Sequence, residues 1–157
     1  VVTIPGGAAA GTIDTANVKV TSHGNPATFA NATLTTTVTS TLRGVSVAPA
    51  AAAQAGLPGT IVTYALTVTN TGSASDTFTV TVSGNAFVTS APATVGPLAA
   101  GASTTFNVVV TIPVGAVAGT LDSATVTVKS QGDDTTSASA NLTTSVWFSV
   151  YLPLVLK

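Results

Sequence analysis

A chain of 157 residues has room for the core of one ordinary domain and part of a second. Four Lys and Arg stand against five Asp and no Glu, for a net charge of −1; Lys19, Arg43, Lys129 and Lys157 cannot build the basic patch that phosphate neutralisation requires, which excludes nucleic acid as a partner. The absence of Cys excludes a disulfide framework and a thiol site, and from the absence of Met, Val1 is read as the end of a processed or excised chain whose signal peptide is gone.

The apolar residues are mainly Val and Ala interleaved with Thr and Ser, a composition that suits the pleated, half-buried surface of a strand. Mean hydropathy is +0.57 and the pI is near 5.4. With so few charges a free monomer has weak colloidal protection, so sugar or protein is expected to cover it.

In chain order, the first element is half of a repeat. VVTIPGGAAAGTIDTANVKVTSHGNPATFANATLTTTV (Val1–Val38) falls without a gap on VVTIPVGAVAGTLDSATVTVKSQGDDTTSASANLTTSV (Val109–Val146), with roughly 23 of the 38 positions identical, far above chance. Ile4/Ile112, Pro5/Pro113, Gly11/Gly119, Asp14/Asp122, Gly24/Gly132 and Leu34/Leu142 are among the matches. Residues 1–40 are therefore predicted to be the C-terminal half of an immunoglobulin-like sandwich. Val2, Ile4, Val18, Val20, Leu34 and Val38 would then present an uncovered apolar face beside open sheet edges.

Residues 41–147 read as a complete copy. Period-2 segments occur at Gly44–Ala48, Thr60–Thr69, Ser75–Ser83, Ser103–Ile112, Ser123–Lys129 and Ser137–Val146, each bounded by turn residues. In Thr60–Thr69 the row Val62, Tyr64, Leu66 and Val68 is assigned to the core, opposite Ile61, Thr63, Ala65, Thr67 and Thr69. Pro58-Gly59, Asn70-Thr71-Gly72, Ser83-Gly84-Asn85, Gly96-Pro97, Gly101 and Gln131-Gly132-Asp133 supply the punctuation. About seven short strands and no helical period predict an all-β chain, an immunoglobulin-like two-sheet sandwich.

The succession PGTIVTYALTVTNTGSASDTFTVTVSG and LAAGASTTFNVVVTIPVGAVAGTLDSATVTVKSQGD resembles the bacterial immunoglobulin-like repeats of secreted, adhesion-related and glycosidase-associated proteins. The recurring "TVTNTG" strand-turn and "L-x-x-G-x-S" strand entry of such repeats correspond to Thr67–Gly72 and Leu98–Ser103. The resemblance covers about 41–147 fully and 1–38 in part. It implies the fold and an extracellular or bacterial cell-surface location. It implies no activity, since such modules serve as spacers, stalks and interaction platforms.

The last segment, 148–157, belongs to the most apolar stretch, WFSVYLPLVLK. It is too short to span a membrane as a helix. Val146, Phe148, Val150, Leu152, Leu154 and Leu156 alternate with Trp147, Ser149, Tyr151, Pro153 and Val155. The first row suits a strand laid in an apolar groove, with Pro153 at an edge. The ending also resembles the short "YLPLV" C-termini of secreted proteins of some filamentous bacteria, which implies a sorting role. A donated strand is the reading adopted, with a sorting or anchoring tag and an ordinary last strand as alternatives.

Residues for chemistry are few. His23 lies in the turn Ser22-His23-Gly24-Asn25, and its counterpart is Gln131, so the repeat does not need an imidazole there. Asp133-Asp134 with Asp122 and Asp76 offer oxygens to Ca²⁺, but Asn25-Pro26 stands where the first copy would need the pair, and the turn-forming role of Asp is preferred. No catalytic constellation, cofactor loop or metal set is expected. Asn31-Ala32-Thr33 and Asn141-Leu142-Thr143 are candidate glycosylation sequons.

The expectation is a non-enzymatic structural subunit of an extracellular filament or cell-surface assembly. It would be pilus-like, polymerising head to tail with itself, a neighbour's donor strand completing the half sandwich. The alternative is a non-catalytic C-terminal accessory or stalk region of a secreted hydrolase or adhesin; a carbohydrate-binding module is less favoured for lack of an aromatic platform.

Overall fold

Strict alternation decides the central strands. In Ile61–Asn70 the side chains of Val62, Tyr64, Leu66, Val68 and Asn70 are buried while Ile61, Thr63 and Ala65 face solvent, and Leu121–Ser130 repeats the pattern with Asp122, Ala124, Val126, Val128 and Ser130 inside. The computed structural model describes residues 1–5 and 8–148. It contains β1 (Ile13–Thr21), β2 (Phe29–Thr37), β3 (Val45–Ala48), β4 (Ala51–Gly56), β5 (Ile61–Asn70), β6 (Asp76–Ser83), β7 (Val88–Ser90), β8 (Thr94–Leu98), β9 (Ser103–Thr111), β10 (Leu121–Ser130) and β11 (Ser137–Val146). Among the described residues no helix is long and apolar enough to cross a membrane.

The chain divides into two units, Val1–Thr41 and Leu42–Lys157. In the second, two sheets with the orders β3-β5-β9-β7 and β4-β11-β10-β6-β8 face each other. Their inner rows merge into one core that includes Tyr64, Leu66, Phe78, Phe106, Val110, Ile112, Val126 and Leu142. This is an immunoglobulin-like β-sandwich. β3 and β4 are one stretch of chain that changes sheet across Pro49-Ala50, and β4 runs parallel to the last strand, Ala51 opposite Asn141 through Gly56 opposite Val146.

Three strands escape the sequence reading. β4 is Ala-rich with little inward alternation, and β7 has three residues. β8 contains Gly96-Pro97, read above as a turn; here the two sit within the strand beside a register shift between Asp76 and Phe78. Both residues fit because β8 is an edge strand, where a missing N–H or an irregular ladder is tolerated.

Most of the buried polar side chains are paired, the exception among the described residues being the second carboxylate oxygen, Oδ2, of Asp122. Asp76 accepts hydrogen bonds from its neighbour Thr77 N–H and from the Ser130 hydroxyl, with the Arg43 guanidinium 3.6 Å away. The Tyr64 hydroxyl donates to the Thr143 carbonyl at 2.7 Å and meets Thr144 Oγ1 at 2.9 Å, tying the two sheets together. Tyr64→Phe leaves those groups of β11 without this partner, and a loss of about 1–2 kcal/mol is expected, read as a lower urea midpoint at unchanged m-value.

Candidate functional site

The Val1–Thr41 unit rebuilds the back hairpin of the complete sandwich, bond for bond. β1 and β2 pair antiparallel from Ile13 opposite Thr37 to Thr21 opposite Phe29. β10 and β11 keep the same register, from Leu121 opposite Ser145 to Lys129 opposite Ser137. The entry turn recurs as well: Gly11 N–H donates to the Val38 carbonyl and Gly119 N–H to that of Val146, both at 2.8 Å, with φ of 84° and 83° at the two glycines. One cross-strand pair is exchanged rather than repeated. The Thr33 hydroxyl donates to Asn17 Oδ1 in the first copy, and the Thr125 hydroxyl to Asn141 Oδ1 in the second. The contact is kept while its donor and acceptor change strands.

Burial separates the copies. Val126, Val128 and Ile112 are 0% exposed and Leu142 1%, whereas their counterparts Val18, Val20, Ile4 and Leu34 are 43, 66, 48 and 50% exposed. Val2 is likewise exposed and Val38 half-buried, where Val110 and Val146 are core. The predicted apolar residues are thus uncovered, Val18, Val20 and Leu34 on a two-stranded sheet that is marginal in water by itself, and Val2 and Ile4 on the segment that precedes it.

Beside this face lies a cavity of about 370 Å³, lined among others by Val2, Ile4, Ala8, Asp14, Thr36 and Val38. Asp14 and Thr36 are directly opposed across the hairpin, as are Asp122 and Thr144 in the second copy. There, Asp122 Oδ1 accepts the backbone N–H groups of Ala86 at 2.6 Å and Phe87 at 3.3 Å, and Thr144 meets the Tyr64 hydroxyl. A turn-forming role, preferred above for Asp122, would also account for the recurrence of Asp14 and Asp122 at matched strand entries. The second of them instead anchors a loop from another part of the domain. The signal available was that the opposed Thr36/Thr144 recurs too.

The remaining candidates are dispersed. Val146 is buried at the end of β11, its N–H donating to Thr120; it belongs to its own sandwich, and the apolar row can serve a neighbour only beyond it. Trp147 and Phe148 are exposed; Val150, Leu152, Leu154 and Leu156 lie outside the described residues. His23 is exposed in its turn, and Asn31 and Asn141 face solvent from β2 and β11. Asp133 accepts the Thr135 N–H and the Thr135 and Thr136 hydroxyls, which hold its carboxyl below the usual range. Asp134 pairs with Lys129. Among the described residues no cluster of three or more metal-ligating side chains occurs.

No protein-family model matches the chain, and a comparison with curated proteins returns none. Among solved structures, a PapD-like domain of human CEP192 (PapD-like domain 7) is similar at TM-score 0.51 and 10% identity, over 69% of this chain and 89% of that one. The secreted serine protease VesC of Vibrio cholerae aligns at TM-score 0.42 and 17% identity over 60% of this chain, and the VesB protease of the same organism at 0.39 and 18% over 66%. This chain spans 21% and 32% of the lengths of those two. At such identities the likeness carries the fold alone, and the fold is that of a PapD-like, immunoglobulin-like β-sandwich.

Proposed function

We propose that the chain is a non-catalytic structural module of an extracellular assembly at a bacterial surface, in which strands of a neighbouring subunit cover the β1–β2 hairpin and successive subunits join head to tail into a filament. The observation behind this reading is the paired contrast in burial: one hairpin, drawn twice with the same register, is core in one copy and bare in the other. Full burial of a Val or Leu side chain contributes about 1.5–3 kcal/mol, so Val18, Val20 and Leu34 together reward a partner that covers them. Head-to-tail contacts of this kind do not close on themselves and propagate. The apolar alternation of the C-terminal segment supports the reading, since such a row fits a sheet edge.

Negative-stain microscopy of native material tests it. Long regular fibres are expected, and deleting Trp147–Lys157 should abolish them. Since Trp147 N–H still bonds Gly56, the pair Val150→Asp and Leu152→Asp serves as a second variant that leaves β11 whole and should abolish fibres equally. Isolated particles from the intact chain, or normal fibres from both variants, would overturn the filament and favour an accessory or stalk module.

A further inference from the structure

We infer that the surface seated on the β1–β2 hairpin is the front half of a repeat of this same type, recognised through Asp14, Thr36 and Ile4. The inference rests on the part of the preceding reading in which the hairpin accepts other strands, and is independent of whether the units form filaments.

The complete copy specifies the occupant, because every acceptor position has a counterpart whose partner is visible. Three features follow. The occupant offers two consecutive backbone N–H groups to the Asp14 carboxylate, as Ala86 and Phe87 offer theirs to Asp122. It carries a tyrosine whose hydroxyl reaches the Thr35 carbonyl and Thr36 Oγ1, as Tyr64 reaches Thr143 and Thr144. It lays a strand parallel to β2 with glycine opposite Val38, as β4 places Gly56 opposite Val146. A Cβ at Gly56 would lie 2.7 Å from Ile112 Cδ1, and Ile4 stands where Ile112 does.

A lone apolar strand, the part open to the C-terminal row at an edge of the hairpin, brings neither the paired N–H donors nor the tyrosine. It fills an edge but brings no opposite layer, and in the complete copy the tyrosine reaches the hairpin from the opposite sheet. The charge arrangement adds selectivity: a carboxylate facing an apolar cavity rejects any partner that buries it without donors. A general hydrophobic surface is therefore a poor occupant, and one with loop N–H groups aimed at Asp14 a good one.

The test adds a polypeptide spanning Leu42–Val108 to the full chain. Hydrogen–deuterium exchange should show saturable protection of the Ile13–Thr37 amides. Asp14→Ala should weaken binding about tenfold, from the loss of two charge-assisted hydrogen bonds; Thr36→Val should weaken it several-fold, and Asn31→Ser, at an exposed position of β2 whose counterpart Ser139 meets Thr127 of its own hairpin, should change nothing. Tyr64→Phe in the added polypeptide should weaken binding to the parent chain but not to the Thr36→Val chain, the non-additivity of a direct contact. Should the free polypeptide precipitate, fusing it ahead of Val1 restores the order of the complete copy, and the same amides and variants are read. Protection elsewhere, none at all, or equal protection with Asp14→Ala overturns the inference. Protection without fibres in the intact protein sinks the filament alone.

Discussion

Asn70→Ala is expected to remove about 3 kcal/mol or more from the complete sandwich, a large share of the roughly 5–15 kcal/mol that holds a domain of this kind together. The side chain is fully buried. Its amide nitrogen donates to the carbonyls of Ala74 and Leu98, each at 2.8 Å, and its Oδ1 accepts the Gly72 N–H at 2.9 Å. Alanine leaves two carbonyls and one N–H without these partners where water has little access, and each such group costs about 1–3 kcal/mol. The main chain of the same residue is also engaged, Asn70 N–H with the Ala102 carbonyl and Gly101 N–H with that of Asn70. Thr69→Ala is the control: it breaks only the exposed hydroxyl pair with Ser103, and a change within about 0.5 kcal/mol is expected. Urea unfolding followed by far-UV circular dichroism distinguishes the two; equal midpoints would refute the role given to Asn70.

That residue also shows how far the sequence could be read. The Thr67–Gly72 turn and the Leu98–Ser103 entry look like separate signatures when scanned along the chain, yet they meet in space, joined by the Asn70 bonds to Leu98, Ala102 and Gly101. The resemblance to known repeats named both, and periodicity placed beside each a strand with a strong inner row. Periodicity could not show that they touch, since the contact runs through a buried polar side chain and main-chain groups rather than an apolar stripe. For the same reason β4 was missed. Its residues are mostly Ala, which has neither the bulk nor the branching that marks a strand, and its place is set by the parallel ladder to β11.

The hairpin face was more legible than the cavity beside it. Val2, Ile4, Val18, Val20, Leu34 and Val38 fall out of the repeat alignment and the strand parity. Asp14 and Thr36 do not, because a carboxylate at a strand entry satisfies a turn rule equally well. Only the bonds that Asp122 and Thr144 make across the complete copy separate the two readings.

Leu142→Ala and Leu34→Ala, the same change at matched places, should differ widely. Leu142 is enclosed by the core, and its truncation should cost about 2–5 kcal/mol, the transfer of the lost methyl groups plus the cavity left behind. Leu34, opposite Ala16 in β1, already meets water over half its surface, and its truncation in the uncovered chain should cost at most about 0.5 kcal/mol. Urea unfolding with amide exchange at β1–β2 and β10–β11 measures each unit separately. If the two losses are alike, the face is covered within the chain as it stands and has nothing to offer a partner. If they differ as expected, the same Leu34→Ala variant should approach the cost of Leu142→Ala once the Leu42–Val108 polypeptide is in place. The change in cost at one side chain then reads the burial that partner binding supplies.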